Sequence, residues 1–420
     1  MKPFSSRPDV SISLLGLAAF ALLGLAVAPA HAQTLSLNSG DNVTVSGAGT
    51  VGILGGMPVS NATSSYSASA GGSTVHTSGT STLTLANGGS ISRGDYSGGY
   101  GLLAGGSGAI SITGGTIKSG TTGYYSAAYG LLATGSSAIS ITGGSILGGE
   151  FGAAVALDGS GPVTINGGTI KCVNLGGDGT SNGIYAGGSS AITITGGSII
   201  AGRGEEGLYD NGGGPITISG GSISAGIGGI GLYSYNGNNS TVNNGHPIHL
   251  ITITGGTFSA GDGGYGMENT AGPVSISGGT FSAGQNGTAL LANSGSNGDV
   301  TISGGTFSAG PGGVGLSERY TTVNLFSFAD SPFLIDGVSM NNTTLNGDLY
   351  GSGSDTIIAT LANGDTLNTT FKGFKGKFNL NIGSPPAAVP EASTTVSLGL
   401  LLMLGVGGVL VARKKAARAA

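Results

Sequence analysis

Aliphatic and hydroxyl-bearing residues alternate in short bursts along most of the chain, and each burst ends on a pair of glycines. The fullest form is ITITGGSI, from Ile192 to Ile199. Eight segments share the frame [IV]-[ST]-I-[STN]-G-G-[ST]-[IF], beginning at Ile110, Ile139, Val163, Ile192, Ile216, Ile251, Val274 and Val300, and LTLANGGSI from Leu83 is a looser ninth. Successive glycine pairs are 26, 29, 24, 29, 24, 35, 23 and 26 residues apart. A period in the twenties that tolerates insertions predicts a solenoid, in which each repeat buries its apolar face only by stacking on its neighbours.

The frame assigns three short strands to each coil. In the ITIT segment, aliphatics at the first and third positions flank a serine or threonine, which predicts a strand with aliphatics inside and hydroxyls in water. The glycine pair then makes a corner, where φ > 0 carries no Cβ penalty. Beyond it a very short strand places one apolar residue inside: Ile91, Ile117, Ile146, Ile170, Ile199 and Ile223, then Phe258, Phe281 and Phe307. The change to phenylalanine predicts a differently filled core in the last coils. Another strand opens each coil, as in GLLA from Gly101 and GLYD from Gly207. Its second position (Leu102, Leu131, Val155, Ile184, Leu208, Leu232, Met267, Leu290, Leu316) is always apolar and faces in, whereas the third varies and faces out.

The predicted fold is all-β, a single-chain parallel β-helix of about nine coils over residues 83–318. Right-handedness is expected from the bias of parallel crossovers. Residues 33–82 are read as an irregular N-terminal cap holding a first strand at NVTVSG, residues 319–382 as a final coil and a β-rich C-terminal cap, and residues 383–388 as a linker.

Composition narrows the function classes. The 88 glycines follow no triplet period, which excludes collagen, and the regularly spaced isoleucines argue against a disordered linker. Between residues 33 and 388 stand 8 basic and 17 acidic residues, a balance near −9 that disfavours nucleic acid. The one cysteine, Cys172, rules out an internal disulfide framework and is read as a packing residue.

Both ends point to export. Lys2 and Arg7, an apolar stretch from Val10 to Val27 and the small residues Ala30 and Ala32 before Gln33 have the three-part pattern of a secretory signal over residues 1–32, with cleavage before Gln33. At the other end, the 17 residues from Val396 to Ala412 carry no charge and make a helix of about 26 Å, just enough to span a bilayer. Arg413, Lys414, Lys415 and Arg418 follow, which places the tail tip on the cytoplasmic side of the inner membrane and the body outside.

Ahead of that helix stand Val389, Pro390, Glu391, Ala392 and Ser393. A short motif of this kind, a transmembrane helix and a basic cluster, in that order over residues 389–420, resemble the PEP-CTERM sorting signal of Gram-negative bacteria, although that family usually has proline where Ala392 stands. The resemblance implies processing by an exosortase, transient anchoring in the inner membrane, and release to the cell surface or the extracellular matrix of bacteria that make exopolysaccharide. The Gly-Gly-Thr coils are also broadly similar to the passenger regions of autotransporter adhesins. Together these imply a structural or adhesive matrix component, in contact with exopolysaccharide, with no catalysis, cofactor or metal.

An enzyme on the same scaffold, a polysaccharide lyase or glycoside hydrolase, is the alternative. Such chemistry needs converging carboxylates, or acidic calcium ligands beside a basic residue. Asp158 and Asp210 fall one column apart when aligned on their strands, and Arg203, Glu205, Glu206 and Asp210 read as a solvated turn. Gly179 to Gly183 matches G-x-S-x-G around Ser181 but lies in a connection without the strand-to-helix context. Asp178 and Asp262 follow glycine in GGDG and AGDG but lack the nine-residue calcium period. The surface feature that stands out is Tyr185, Tyr209 and Tyr233, in one outward column of three consecutive coils, with Leu132 and Leu291 further along it. Stacked aromatic faces about 4.8 Å apart suit sugar rings, and the competing reading is a ladder that only stabilises neighbouring coils.

Overall fold

A computed structural model describes residues 34–381, except 55–56, 62–64, 69–72, 94–98, 121–126, 173–180, 236–241, 244–245, 248–249, 271, 294–297, 319–322, 327–332, 336–337, 340–348, 351–352, 361–365 and 375–376. The secretory signal with Ala30, Ala32 and Gln33, the linker, the motif at Val389–Ser393, the expected membrane span and the basic tail lie outside the described residues.

The described residues form a β-solenoid of stacked parallel coils, all-β and without a helix. The opening strands of the coils make one parallel sheet of eleven, from Leu35–Leu37 to Val314–Glu318. The ITI strands pair in register from coil to coil: Ile110 on Ile139, Ile139 on Val163, Ile192 on Ile216, Ile251 on Val274. Beyond the glycines, Ile199 lies on Ile223 and Ile223 on Phe258. In Val163–Cys172, Ile192–Ile200, Val274–Ala283 and Val300–Ala309 the second and third strands run on as one, with a register shift at the glycine pair.

Burial follows the alternation. Ile192, Ile194, Ile199 and Leu208 are each at most 1% exposed, and the corresponding residues of the other coils form one continuous core. Four such side chains contribute roughly 6 to 10 kcal/mol gross per coil, before the entropy of ordering the chain. Between the inward residues, Ser111, Ser140, Thr164, Thr193, Thr217, Thr252, Ser275 and Thr301 make an unbroken outward row of hydroxyls. Phe258, Phe281 and Phe307 are fully buried and stack face to face, with centroids 4.6 and 4.8 Å apart and planes within 8°. Their spacing is that of neighbouring strands, so the rings fill the core at the coil repeat. Cys172 is buried, pairs with Gly148 of the preceding coil, and its thiol donates to the Gly149 carbonyl at 3.2 Å.

The glycine pair serves two different needs. In the eight full copies of the frame the second member takes positive φ, as at Gly197 (φ 84°). The first does not, but a Cβ on Gly196 would run into the Asn166 carbonyl oxygen of the preceding coil. Tight stacking at the corner requires the one and the change of direction requires the other.

The parallel ladders begin earlier than residue 83. Leu35–Leu37 pairs with Ser73–Thr77, and Asn42–Ser46 with Thr82–Leu85, so the segment expected as an irregular cap already contains coil strands. The outer edge of Asn42–Ser46 is covered by antiparallel Gly49–Leu54, itself paired with Met57–Asn61. Edge coverage therefore comes from a regular meander, which satisfies backbone groups that would otherwise pair with another chain. At the far end Val323–Phe326 and Phe333–Ile335 continue the stack on Val300–Ala309, and short strands including Lys377–Asn381 close it.

Candidate functional site

The sheet of opening strands carries the site on its outer side. Tyr185, Tyr209 and Tyr233 pair in register on consecutive coils, and the column continues to Ala156 and Leu132 on one side and to Glu268 and Leu291 on the other. The Tyr209 and Tyr233 rings stack with centroids 5.3 Å apart and planes 13° apart, while Tyr185 meets Tyr209 at 5.6 Å and 58°. Tyr235 tilts against both Tyr209 and Tyr233. Asn211 Nδ2 donates to the Tyr185 hydroxyl at 3.5 Å.

A second outward column runs three residues upstream, through the stacked pair Tyr100 and Tyr129, then Ala153, Asn182, Glu206 and Ile230. The coil of Ala153–Leu157 carries alanine in both columns where its neighbours carry tyrosine, leucine or asparagine. These small side chains open a notch. Ala153, Ala156 and Leu132 are covered by Tyr100, Leu103, Tyr129 and Tyr185, forming an apolar patch separate from the main core. Above it lies a cleft of about 330 Å³ lined by Tyr129, Phe151, Gly152, Asn182, Tyr185, Glu206, Tyr209 and Tyr233. That volume is at the lower end of the range for small-ligand pockets.

Electrostatics distinguish this cleft from the rest of the surface. Burial, reinforced by the Glu268 carboxylate, pushes the Glu206 carboxyl up to about 6. Burial first, and then the neighbouring tyrosines, holds Tyr209 well above the ordinary tyrosine range. Tyr233 is pushed up to about 12 by burial and by Glu268. The Asp158 carboxylate adds to burial in raising Tyr129. A carboxyl whose value rises on folding favours the protonated form, so its contribution to stability is fullest below the ordinary value of 4.5 and is lost as pH rises through about 6. Glu206→Gln is therefore expected to stabilise the protein at neutral pH by about 1 to 2 kcal/mol and to flatten the dependence across that window. Denaturant midpoints at both ends of the window test this; a variant as pH-dependent as its parent contradicts it.

The charged patch expected to be a solvated turn is divided by the fold. Arg203 alone of the four is exposed; Glu205 and Asp210 are each 2% exposed, and Glu206 is half-buried in the cleft. The cause is local. Glu205 accepts from the Ser181 backbone N–H, and Asp210 Oδ1 accepts from Gly212 N–H at 3.3 Å, so both acids satisfy neighbouring backbone rather than water. Ser181 of the G-x-S-x-G match is fully buried. Asp158 aligns one column beyond Asp210. Asp262 Oδ1 accepts from Gln285 N–H at 2.8 Å, an ordinary turn bond, and Asp178 lies outside the described residues. No group of three or more metal-ligating side chains occurs among the described residues.

No protein-family model, curated protein or solved structure matches the chain at a significant level.

Proposed function

We propose that this protein is a secreted, exosortase-sorted component of the cell surface or extracellular matrix of a Gram-negative bacterium, adhering to exopolysaccharide through the outer face of its solenoid. The observation that carries the adhesive reading is the tyrosine-lined cleft, a concave aromatic site on the outer side of the sheet of opening strands. Rings with one polar tip offer large contact area at small entropic cost, and sugars present apolar faces flanked by hydroxyls. The export and sorting part rests on the order of motif, apolar segment and basic cluster near the C-terminus, together with the signal-like N-terminus. The likeness of the coils to autotransporter passengers agrees with an adhesive role and adds no site.

Replacing Tyr185, Tyr209 and Tyr233 together by serine is expected to reduce retention on the producer's own polysaccharide by at least about tenfold, since each lost aromatic contact is worth about 0.5 to 1.5 kcal/mol. The melting curve of the variant reports folding separately. Unchanged retention by a folded variant contradicts the adhesive reading and leaves the tyrosines as a stabilising ladder.

A hydrolytic reading draws on Glu206 alone, a carboxyl pushed up to about 6 in a cleft, as a general acid requires. Release of reducing ends from the polysaccharide, abolished in Glu206→Gln, would support it.

A further inference from the structure

The cleft has a definite chemical sign. Its lining includes one carboxylate, Glu206, and no lysine or arginine. Glu268, next to Tyr233 on the following coil, acts electrostatically on both Glu206 and Tyr233, and Asp158 acts in the same way on Tyr129. The negative groups thus border the aromatic faces on both sides of the notch.

An independent observation comes from Asn182, two residues upstream of Ile184. It is only 8% exposed, lines the cleft, and its Oδ1 is buried without a hydrogen-bond partner. A buried acceptor in this state is costly and calls for a donor. Asn182 Oδ1 and the Glu206 carboxylate both accept, the tyrosine hydroxyls can do either, and the ring faces are electron-rich. A ligand that satisfies all of these carries positive charge, several N–H donors and an apolar ring face.

We propose that the cleft binds an amino sugar, with the protonated amine seated among the tyrosine faces and donating to Glu206 and Asn182 Oδ1. This rests on the glycan-adhesive reading above and specifies the sugar class. A neutral or N-acetylated ring supplies the stacking face but leaves the Glu206 charge uncompensated in a site that disfavours it. A cation there provides the missing partner, as aromatic cages do for ammonium ligands.

The groups facing Glu206 set the pH behaviour. Tyr209 lies on its own strand, Asn182 and Tyr185 on the preceding coil, Tyr233 and Glu268 on the following ones, and Tyr129 across the notch. Burial raises Tyr129, Tyr209 and Tyr233 and keeps them neutral at physiological pH, so Glu206, with Glu268 behind it, governs the response. Binding weakens as pH falls below about 6, where Glu206 takes up a proton, and near that pH the ammonium displaces the proton into the buffer.

The test is calorimetric titration of the secreted protein with a short glucosamine oligomer and with its fully N-acetylated counterpart. At neutral pH the amine form is expected to bind at least about tenfold tighter, with heats that depend on buffer ionisation near pH 6. The preference is expected to shrink in acid and to vanish in Glu206→Gln, whose melting curve confirms folding. Equal binding of the two oligomers, or a preference that survives in Glu206→Gln, overturns the amino-sugar inference while the adhesive reading stands. Failure of both oligomers and of the producer's polysaccharide to bind overturns both.

Discussion

Replacing Phe281 by alanine is expected to destabilise the protein by about 4 kcal/mol, in the middle of the range for a buried aromatic. The ring is fully buried between Phe258 and Phe307, with centroids 4.6 and 4.8 Å away. Truncation removes its apolar burial and both stacking contacts at once. The cavity has little means of collapsing. Thr280, Phe281, Ser282 and Ala283 are in register with strands on both sides, so the backbone stays at the coil spacing while the side chain is gone. Denaturant unfolding with a probe in the last coils is the appropriate measurement, because long repeat arrays need not unfold as one unit. A loss below about 1.5 kcal/mol would mean that this part of the core relaxes, contrary to the packing described.

The second large effect is at the corner glycines, with a built-in control. Gly197 and Gly204 have similar positive φ, 84° and 72°, but a Cβ on Gly197 would stand 2.8 Å from the Gly167 carbonyl oxygen, whereas nothing lies within 4 Å of one on Gly204. Alanine at Gly204 therefore incurs only the left-handed backbone penalty, about 1 to 2 kcal/mol. Alanine at Gly197 incurs that penalty and must also push two coils apart, for a total of about 3 kcal/mol or more. Equal costs at the two positions would show that coil stacking at the corner has slack. The comparison separates the two reasons for glycine that Gly197 combines.

Much of this architecture is legible from the chain because few interactions define it. An aliphatic at every second position, closed by two glycines, leaves little freedom about which residues face inward, and Ile192, Ile194 and Ile199 are buried as that alternation requires. The same alignment brings Tyr185, Tyr209 and Tyr233 into one column. The cleft is harder to read, because it arises from an absence of bulk. Ala153 and Ala156 become informative only once the coils are registered across insertions of unequal length and the column three residues upstream is traced through Tyr129, Asn182 and Glu206. Tracing that column in the sequence would have marked the site. The burial of Glu205 and Asp210 has no such signal, since the Ser181 and Gly212 N–H groups that they accept from are backbone and leave no mark in the residue pattern. Likewise, the meander over Asn42–Ser46 is a turn back along a coil strand, which a reading based on the repeat frame does not reveal.

The central claim is that this solenoid is delivered to the outside of the cell by processing of its C-terminal segment. It is tested most directly by fractionating the producing bacteria and determining the C-terminus of the released protein by mass spectrometry. The account predicts a surface or matrix fraction whose chain ends near Pro390 and lacks Arg413, Lys414, Lys415 and Arg418. A full-length chain retained in the inner membrane with that basic tail intact would contradict it.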